Sequence, residues 1–362
     1  MTAPNTFKST DRTLKSGSLV RAAGFPGLRV LAWSGDVLYA SHGYEVVSAR
    51  IQNPISAVTW QPVAGFRSDW RRRISVTNRL TARLFRDGFH ALAVLPAGGM
   101  VGAVPGAIVT CRPGESEFRR THAIVRGTRP LHITAVPGGA VFWGEYFDNP
   151  AREEVHVYAS GDAGASWSVA YTFAKGSIRH VHNIVHDPWE NCLWVLTGDY
   201  GDECRILRAA CDFSRVEAVL QGNQQARAVA LVVTKEGLYF SSDTPLESNY
   251  INLLDRSGNL TRVCALSSSS IYGCRVGEDI FFSTMVEPSA VNRGQDVRIY
   301  GGNTVQGWQP LLNWKKDRWP MGLFQYGNAF LPDGNNTTKV LAVTTVAVEF
   351  DDMATSLYSL VL

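Results

Sequence analysis

The chain has 362 residues, 45% of them hydrophobic, with 10 Trp, 12 Tyr and 16 Phe, a composition that excludes intrinsic disorder and allows a large packed core. Lys and Arg number 35 against 32 Asp and Glu, so the net charge of +3 excludes a protein that works by neutralising nucleic-acid phosphates over a broad surface. The 33 Gly and 16 Pro imply many turns, and the six cysteines lack CxxC spacing and read as buried free thiols.

Residues 1–17, "MTAPNTFKSTDRTLKSG", form a polar extension without the apolar core of a secretory signal. No uninterrupted apolar run is long enough to span a bilayer, so the expected location is the cytoplasm, away from membranes. From residue 18 to 362 helical periodicity is almost absent, and short apolar or alternating runs broken by Gly, Asp, Asn and Pro recur throughout. That is the pattern of an all-β chain.

One hairpin returns along the chain: a first strand, a tight polar turn, then an aromatic second strand ending in small residues and an acid. It begins as "RVLAWSGDVLYASHGYE" (29–45) and "ARLFRDGFHALAVLPAGG" (82–99). It continues as "HITAVPGGAVFWGE" (132–145), "HNIVHDPWENCLWVLTGD" (182–199), "RAVALVVTKEGLYFSSD" (227–243), "YGCRVGEDIFFSTMVE" (272–287) and "FQYGNAFLPDG" (324–334). Copies spaced by roughly 45 to 60 residues have the period of four-stranded propeller blades. The expected fold is a single seven-bladed β-propeller of four-stranded antiparallel blades, bounded near 18–66, 67–127, 128–177, 178–224, 225–268, 269–319 and 320–362. A β-sandwich would also show short strands, but it would not return one hairpin at one period. The runs "KVLAVTTVAVEF" and "SLYSLVL" supply strands of the last blade, and the segment near "LVRAA" is expected to close the ring against it.

The third unit contains "VHVYASGDAGASWSVAYTF", in which Ser160, Asp162, Gly164, Ser166 and Trp167 stand at fixed spacing between two apolar strands. This turn resembles the Asp-box, S-x-D-x-G-x-[ST]-W, of sialidase-like propellers with BNR repeats. In such a box the Asp162 carboxylate accepts backbone N–H groups of the turn, Gly164 takes a conformation other residues disfavour, and Trp167 packs into the blade. The box is scaffolding. "DRSGNLTRV" (255–263) is a weak echo, and the resemblance implies a carbohydrate substrate by association.

In a propeller the first strand of each blade lines the channel, and its start shares a face with the loop after the second strand. The aligned hairpins put His132, His182, Arg227 and Tyr272 at four successive starts, and Glu145, Asp199, Asp243 and Glu287 at the matching ends. With only 8 His in the chain, this set predicts one polar pocket on the channel mouth. Arg29, Arg79 and Arg83 fall near the equivalent starts of the first two units and add positive charge for a carboxylate ligand. "RSDWRRR" (67–73) puts four arginines beside Trp70, a set that could grip an acidic sugar but reads first as an exposed loop. "RHVHNIVH" puts His180, His182 and His186 on alternate positions, but the spacing is no recognised zinc signature, and no metal or other cofactor is assigned.

The pocket suggests an enzyme that cleaves a glycosidic bond in an acidic, uronate- or sialate-containing oligo- or polysaccharide. Arg227, with Asp243, Arg29 and Arg83, would hold the substrate. The resemblance implies a tyrosine nucleophile activated by a glutamate, for which Tyr272 and Glu287 are the candidates, with Asp199 or Glu145 as acid. His132, His182, Tyr272 and Arg227 equally suit a lyase that neutralises a uronate carboxylate and abstracts the adjacent proton. Hydrolysis ranks slightly ahead because the resemblance to the Asp-box leans that way and four acids are available. A non-catalytic glycan- or protein-binding propeller is the alternative.

Overall fold

Two kinds of strand alternate along the chain, and their burial explains how they stack. Ala228–Val233, Gly237–Ser242 and Val340–Val346 are buried along their whole length, whereas Val216–Gln221 and Leu260–Ala265 are largely exposed. A strand covered on both faces is largely apolar and lies inside the assembly of sheets; a strand at the rim needs no such cover. The computed structural model describes residues 18–55 and 57–361. The extension expected over residues 1–17 lies outside the described residues.

The fold is all-β and propeller-like, built of many four-stranded antiparallel sheets. Three of these sheets occupy residues 134–173, 181–221 and 228–265, and a fourth occupies 270–315, each with its strands in chain order. Another is closed by the ends of the chain: Ser18–Pro26 pairs antiparallel with Ala354–Val361, with Leu19 opposite Leu360 and Val20 opposite Ser359. This is the closure expected near "LVRAA". Residues 29–66 and 91–123 form two further four-stranded meanders, joined by a short parallel pairing of Gly65 and Phe66 with Glu117 and Phe118 into one sheet whose ninth strand is Asp333–Asn336.

Neighbouring sheets pack face to face. Between the 134–173 and 181–221 sheets, Phe142, Val155 and Val157 meet Ile184, Leu193 and Leu207. The innermost strands surround a central cavity of about 970 Å³. One of them is split. Asn328–Phe330 pairs with Val340–Val346, and then Asp333–Asn336 crosses over to lie parallel to Ala32–Gly35.

The turn at Asp162 joins Val155–Ser160 to Ser168–Phe173, as its resemblance to an Asp-box predicts. Asp162 Oδ1 accepts from the Ser166 backbone N–H at 2.8 Å, its Oδ2 accepts from Ser166 Oγ at 2.6 Å, and Ser160 Oγ accepts from Gly164 N at 2.8 Å. Gly164 has φ 83°. Trp167 Nε1 donates to Thr121 Oγ1 in the preceding sheet, so the turn also fastens two sheets together. The echo at Asp255 uses the same chemistry, accepting from Ser257 N and Asn259 N.

Between the first two meanders the structure departs from an all-strand pattern. "RSDWRRR" is no loop: Asp69 caps a helix over Trp70–Ser75, accepting from Arg72 N at 3.1 Å. Asn78 caps a second helix over Arg79–Phe85. The inner strand of this unit starts at Ala91, so the repeat copy placed at 82–99 begins about one helix too early. Among the described residues no helix is long and apolar enough to cross a membrane.

Candidate functional site

The inner strands carry register shifts near their starts, and these aim the side chains of the channel mouth. In the 181–221 sheet Val181 faces Thr197 but Asn183 faces Leu196, leaving His182 as the extra residue of a bulge. An unpaired residue of this kind re-directs its side chain. The shift between Ser270 and Tyr272 does the same for the 270–315 sheet. After the second strand, Gly198 has φ +85°, and a Cβ there would stand 1.8 Å from the Glu203 carbonyl oxygen. Only glycine lets the chain turn so tightly ahead of Asp199.

These devices bring four buried groups, His180, His182, Asp199 and Asp243, together with the half-buried Arg179 and Arg227. His180 Nε2 and His182 Nε2 lie 3.0 Å apart, and each is 3.5 Å from Asp199 Oδ1. Arg227 Nη2 is 3.4 Å from Asp199 Oδ1 and 3.5 Å from Asp243 Oδ2, and Arg179 Nη1 is 3.4 Å from Asp199 Oδ2. Tyr146 covers His180 with ring centroids 4.3 Å apart, and Arg227 stands over the Tyr200 ring. Burial lowers the His182 imidazole below its usual value, and burial with Asp199 pushes the Tyr146 hydroxyl up to about 12. Glu287 is half-buried beside this group, and burial together with Asp243 raises its carboxyl. Of the residues predicted from the repeat, His182, Asp199, Arg227, Asp243 and Glu287 therefore share one neighbourhood.

The others go elsewhere. His132 Nδ1 lies 3.0 Å from Asp333 Oδ2, and its ring is 6.4 Å from that of Tyr272, which packs edge-on against Phe330. Arg29 stands over the same Phe330 ring at 4.0 Å and donates Nη1 to His90 Nδ1 at 3.1 Å. Burial and Arg29 lower the Arg129 guanidinium to about 10 in this second group. Tyr272 has no hydrogen bond to Glu287, so the predicted nucleophile and its activator stand in separate groups. Glu145 is also apart: its Oε1 accepts from Arg126 Nε at 3.0 Å and its Oε2 from His156 N at 2.8 Å. Arg83 holds the helix Arg79–Phe85 to Asp317, Asp352 and the Phe324 carbonyl, and it lines no pocket with Arg227.

Three residues of these groups escape the sequence reading: His90, Arg129 and Arg179. His90 immediately precedes the inner strand Ala91–Val94, near the strand start where His132 and His182 also fall in their units. Its signal was present but lay outside the register assigned to that repeat.

No protein-family profile matches the chain, and no curated protein matches it. Among solved structures, it is similar to a chain of the "Crystal Structure of Mitotic Checkpoint Complex", with TM-score 0.59 and 12% identity over 99% of this chain and 96% of that one. It is also similar to the WD40 β-propeller domain of Doa1, with TM-score 0.56 and 12% identity over 95% of this chain and 97% of that domain. The β-propeller domain of Myceliophteria thermophila Cps50 (Swd1) gives TM-score 0.56 and 10% identity, covering 95% and 99%. These likenesses show the β-propeller fold. The Doa1 domain is a WD40 propeller, and the sialidase-like family that the Asp162 turn resembles is not shown by these likenesses.

Proposed function

We propose that the chain is a non-catalytic, protein-binding propeller whose recognition surface is the helical segment 67–90 and the rim beside it. The observation that carries this reading is the exposure of large apolar side chains there: Trp70 is 67% exposed, Phe85 59% and Ile74 56%. Leu80, Leu84 and, on the adjoining connections, Leu323 and Phe350 are exposed as well. Exposed apolar side chains gathered in one region of a folded protein mark an interaction site. Residues 67–90 carry seven arginines against two aspartates. Arg67, Arg72, Arg79 and Arg83 are ion-paired, whereas Arg71, Arg73 and Arg86 make no ion pair among the described residues. The partner this surface fits is a protein segment with acidic residues beside apolar ones. A similar propeller is a chain of a mitotic checkpoint complex, which agrees with a role in an assembly.

In the same reading the propeller has seven blades. Counting the 29–66 and 91–123 meanders as one blade each, beside the five four-stranded sheets, gives that number.

Cleavage of an acidic saccharide draws less support. A retaining hydrolase needs its nucleophile and acid on opposite sides of one bond. Here Tyr272 sits with Arg29 and Phe330, Glu145 is engaged by Arg126, and Asp199 lies between two histidines and two arginines.

The test is a display library of short acidic and apolar peptides selected on the full chain, with affinities read by fluorescence anisotropy. The expected result is enrichment of Asp or Glu next to aromatic residues, lost in a Trp70→Ala, Phe85→Ser double variant. Selection of the same peptides by both proteins would remove the proposed surface. A screen of acidic oligosaccharides by mass should show neither a gain of water nor an unsaturated product.

A further inference from the structure

The cluster at the head of the 181–221 sheet contains three acceptor atoms whose proximity calls for a cation. His180 Nδ1 is 3.1 Å from the Phe147 carbonyl oxygen, and His182 Nδ1 is 2.9 Å from that of Ala228. A carbonyl oxygen only accepts, so each ring holds its proton on Nδ1. Both Nε2 atoms then present lone pairs. They point at each other across 3.0 Å, with Asp199 Oδ1 at 3.5 Å from both. Arg227 Nη2, 3.4 Å from Asp199 Oδ1, offsets the carboxylate from one side, but the two Nε2 lone pairs still face each other at 3.0 Å and repel unless a cation or proton sits between them.

We propose that His180 Nε2, His182 Nε2 and Asp199 Oδ1 form a binding site for a divalent transition metal ion of the zinc class.

The dimensions suit one. Tetrahedral coordination with bonds of about 2.0–2.1 Å sets neighbouring ligand atoms about 3.3–3.4 Å apart, close to the three edges of 3.0, 3.5 and 3.5 Å. The surroundings also suit one. Metal-bound imidazoles donate their other N–H to a carbonyl or carboxylate, which fixes the tautomer and the ring plane, and both rings do so here. The triangle is held on rigid parts, the His182 bulge and the Gly198 turn. The carboxylates of Asp199 and Asp243 share Arg227, Asp199 meets Arg179 as well, and Asp243 Oδ1 is buried without a hydrogen-bond partner. Three protein ligands leave a fourth position for water or an anion. The H-x-H spacing alone conceals the site, because its third ligand comes from the loop after the next strand. The inference is independent of the protein-binding surface.

The competing occupant is a proton that turns one ring into an imidazolium. To separate the two, the full chain is stripped with chelator and titrated with Zn(II) and with Co(II). One equivalent of either should bind. The Co(II) form should show a ligand-field band in the visible and two hyperfine-shifted, exchangeable proton signals, one from each Nδ1–H. His182→Ala and Asp199→Asn should weaken binding by more than about 100-fold, beyond what loss of an outer-shell partner costs. His186→Ala, in the wall of the central cavity, should not. No stoichiometric binding at micromolar metal, a Co(II) form without the two signals, or unchanged affinity in both ligand variants overturns the site. Should a variant fail to fold, the two signals of the unaltered chain decide.

Discussion

Arg83 has no solvent exposure, and its Nη1 stands 3.2 Å from Oδ2 of Asp352, whose side chain is buried too. The same guanidinium meets Asp317 and donates Nε to the Phe324 carbonyl at 3.0 Å, so one side chain fastens the helix Arg79–Phe85 to two distant connections. Without Arg83, Asp352 keeps Arg79 and Asp317 keeps Lys316 as partners, so the cost is at most the roughly 3–5 kcal/mol of leaving a buried charge wholly unpaired. Arg83→Met should lower the unfolding free energy by up to that amount in a urea titration. Asp352→Asn in the same background should restore part of it. A loss below about 1 kcal/mol would mean that the ion pair is not what holds the helix.

At the Asp162 turn, Asp162→Ala removes the acceptor for Ser166 N and Ser166 Oγ, on an exposed hairpin. A loss of about 1 kcal/mol is expected. The hydrogen bonds from Ser166 hold the Asp162 carboxyl down at about 2. A carboxylate depressed on folding stabilises above its unfolded value, and that stabilisation is lost as pH falls through the folded one. The stability gap between parent and variant should therefore be constant above about pH 4 and close towards pH 2. A gap that persists at pH 2 would assign the loss to the turn's shape and not to its charge.

His90 gives the opposite experiment, in which ionisation destabilises. Its Nδ1 accepts from Arg29 and its Nε2 donates to the Arg86 carbonyl at 2.6 Å, so the ring is neutral on both counts. Burial, then Arg129 and Arg29, hold the imidazole well below its usual value. The unfolded chain takes up a proton near pH 6.5 and the folded one does not, so stability falls with pH below that point by up to about 1.4 kcal/mol per unit. His90→Gln keeps one acceptor and one donor and should flatten the decline between pH 7 and pH 5 in denaturant titrations. An unchanged slope would place the titrating group elsewhere.

The repeat could be read from the sequence because inner strands covered on both faces leave long apolar runs, as in Ala228–Val233, at one period. The helix Arg79–Phe85 could not. It spans two turns, buries Arg83 and exposes Leu80, Leu84 and Phe85, the reverse of an amphipathic pattern. The stations of the site residues were legible, but not their directions. Glu145 and Asp199 hold the same place in successive units, yet one turns to Arg126 and the other to a histidine pair. A bulge of one residue reverses the face a side chain serves, and nothing in the local sequence announces it. The crossover of Asp333–Asn336 to Ala32–Gly35 is hidden for a related reason: Asp-Gly-Asn-Asn reads as a turn.

Trp70 is the sharpest test of the binding surface because its ring rests on little but its own neighbour, the Arg71 guanidinium, 5.4 Å from the ring centroid. An exposed side chain without packing contributes little to folding, so Trp70→Ala should change stability by no more than about 0.5 kcal/mol. If the ring is an interface anchor, its truncation should instead weaken a partner by about 2 kcal/mol or more, mostly through faster dissociation. The neighbouring arginines act on the other rate. Arg71→Glu with Arg73→Glu reverses two charges that make no ion pair among the described residues, and it should slow association with an acidic partner most at low salt. Association and dissociation rates of a selected acidic peptide, measured from 20 to 500 mM salt, on the order of the range over which screening changes strongly, separate the two contributions. Equal effects of the aromatic and arginine variants on both rates, at all salt concentrations, would show that the peptide docks on a different part of the propeller.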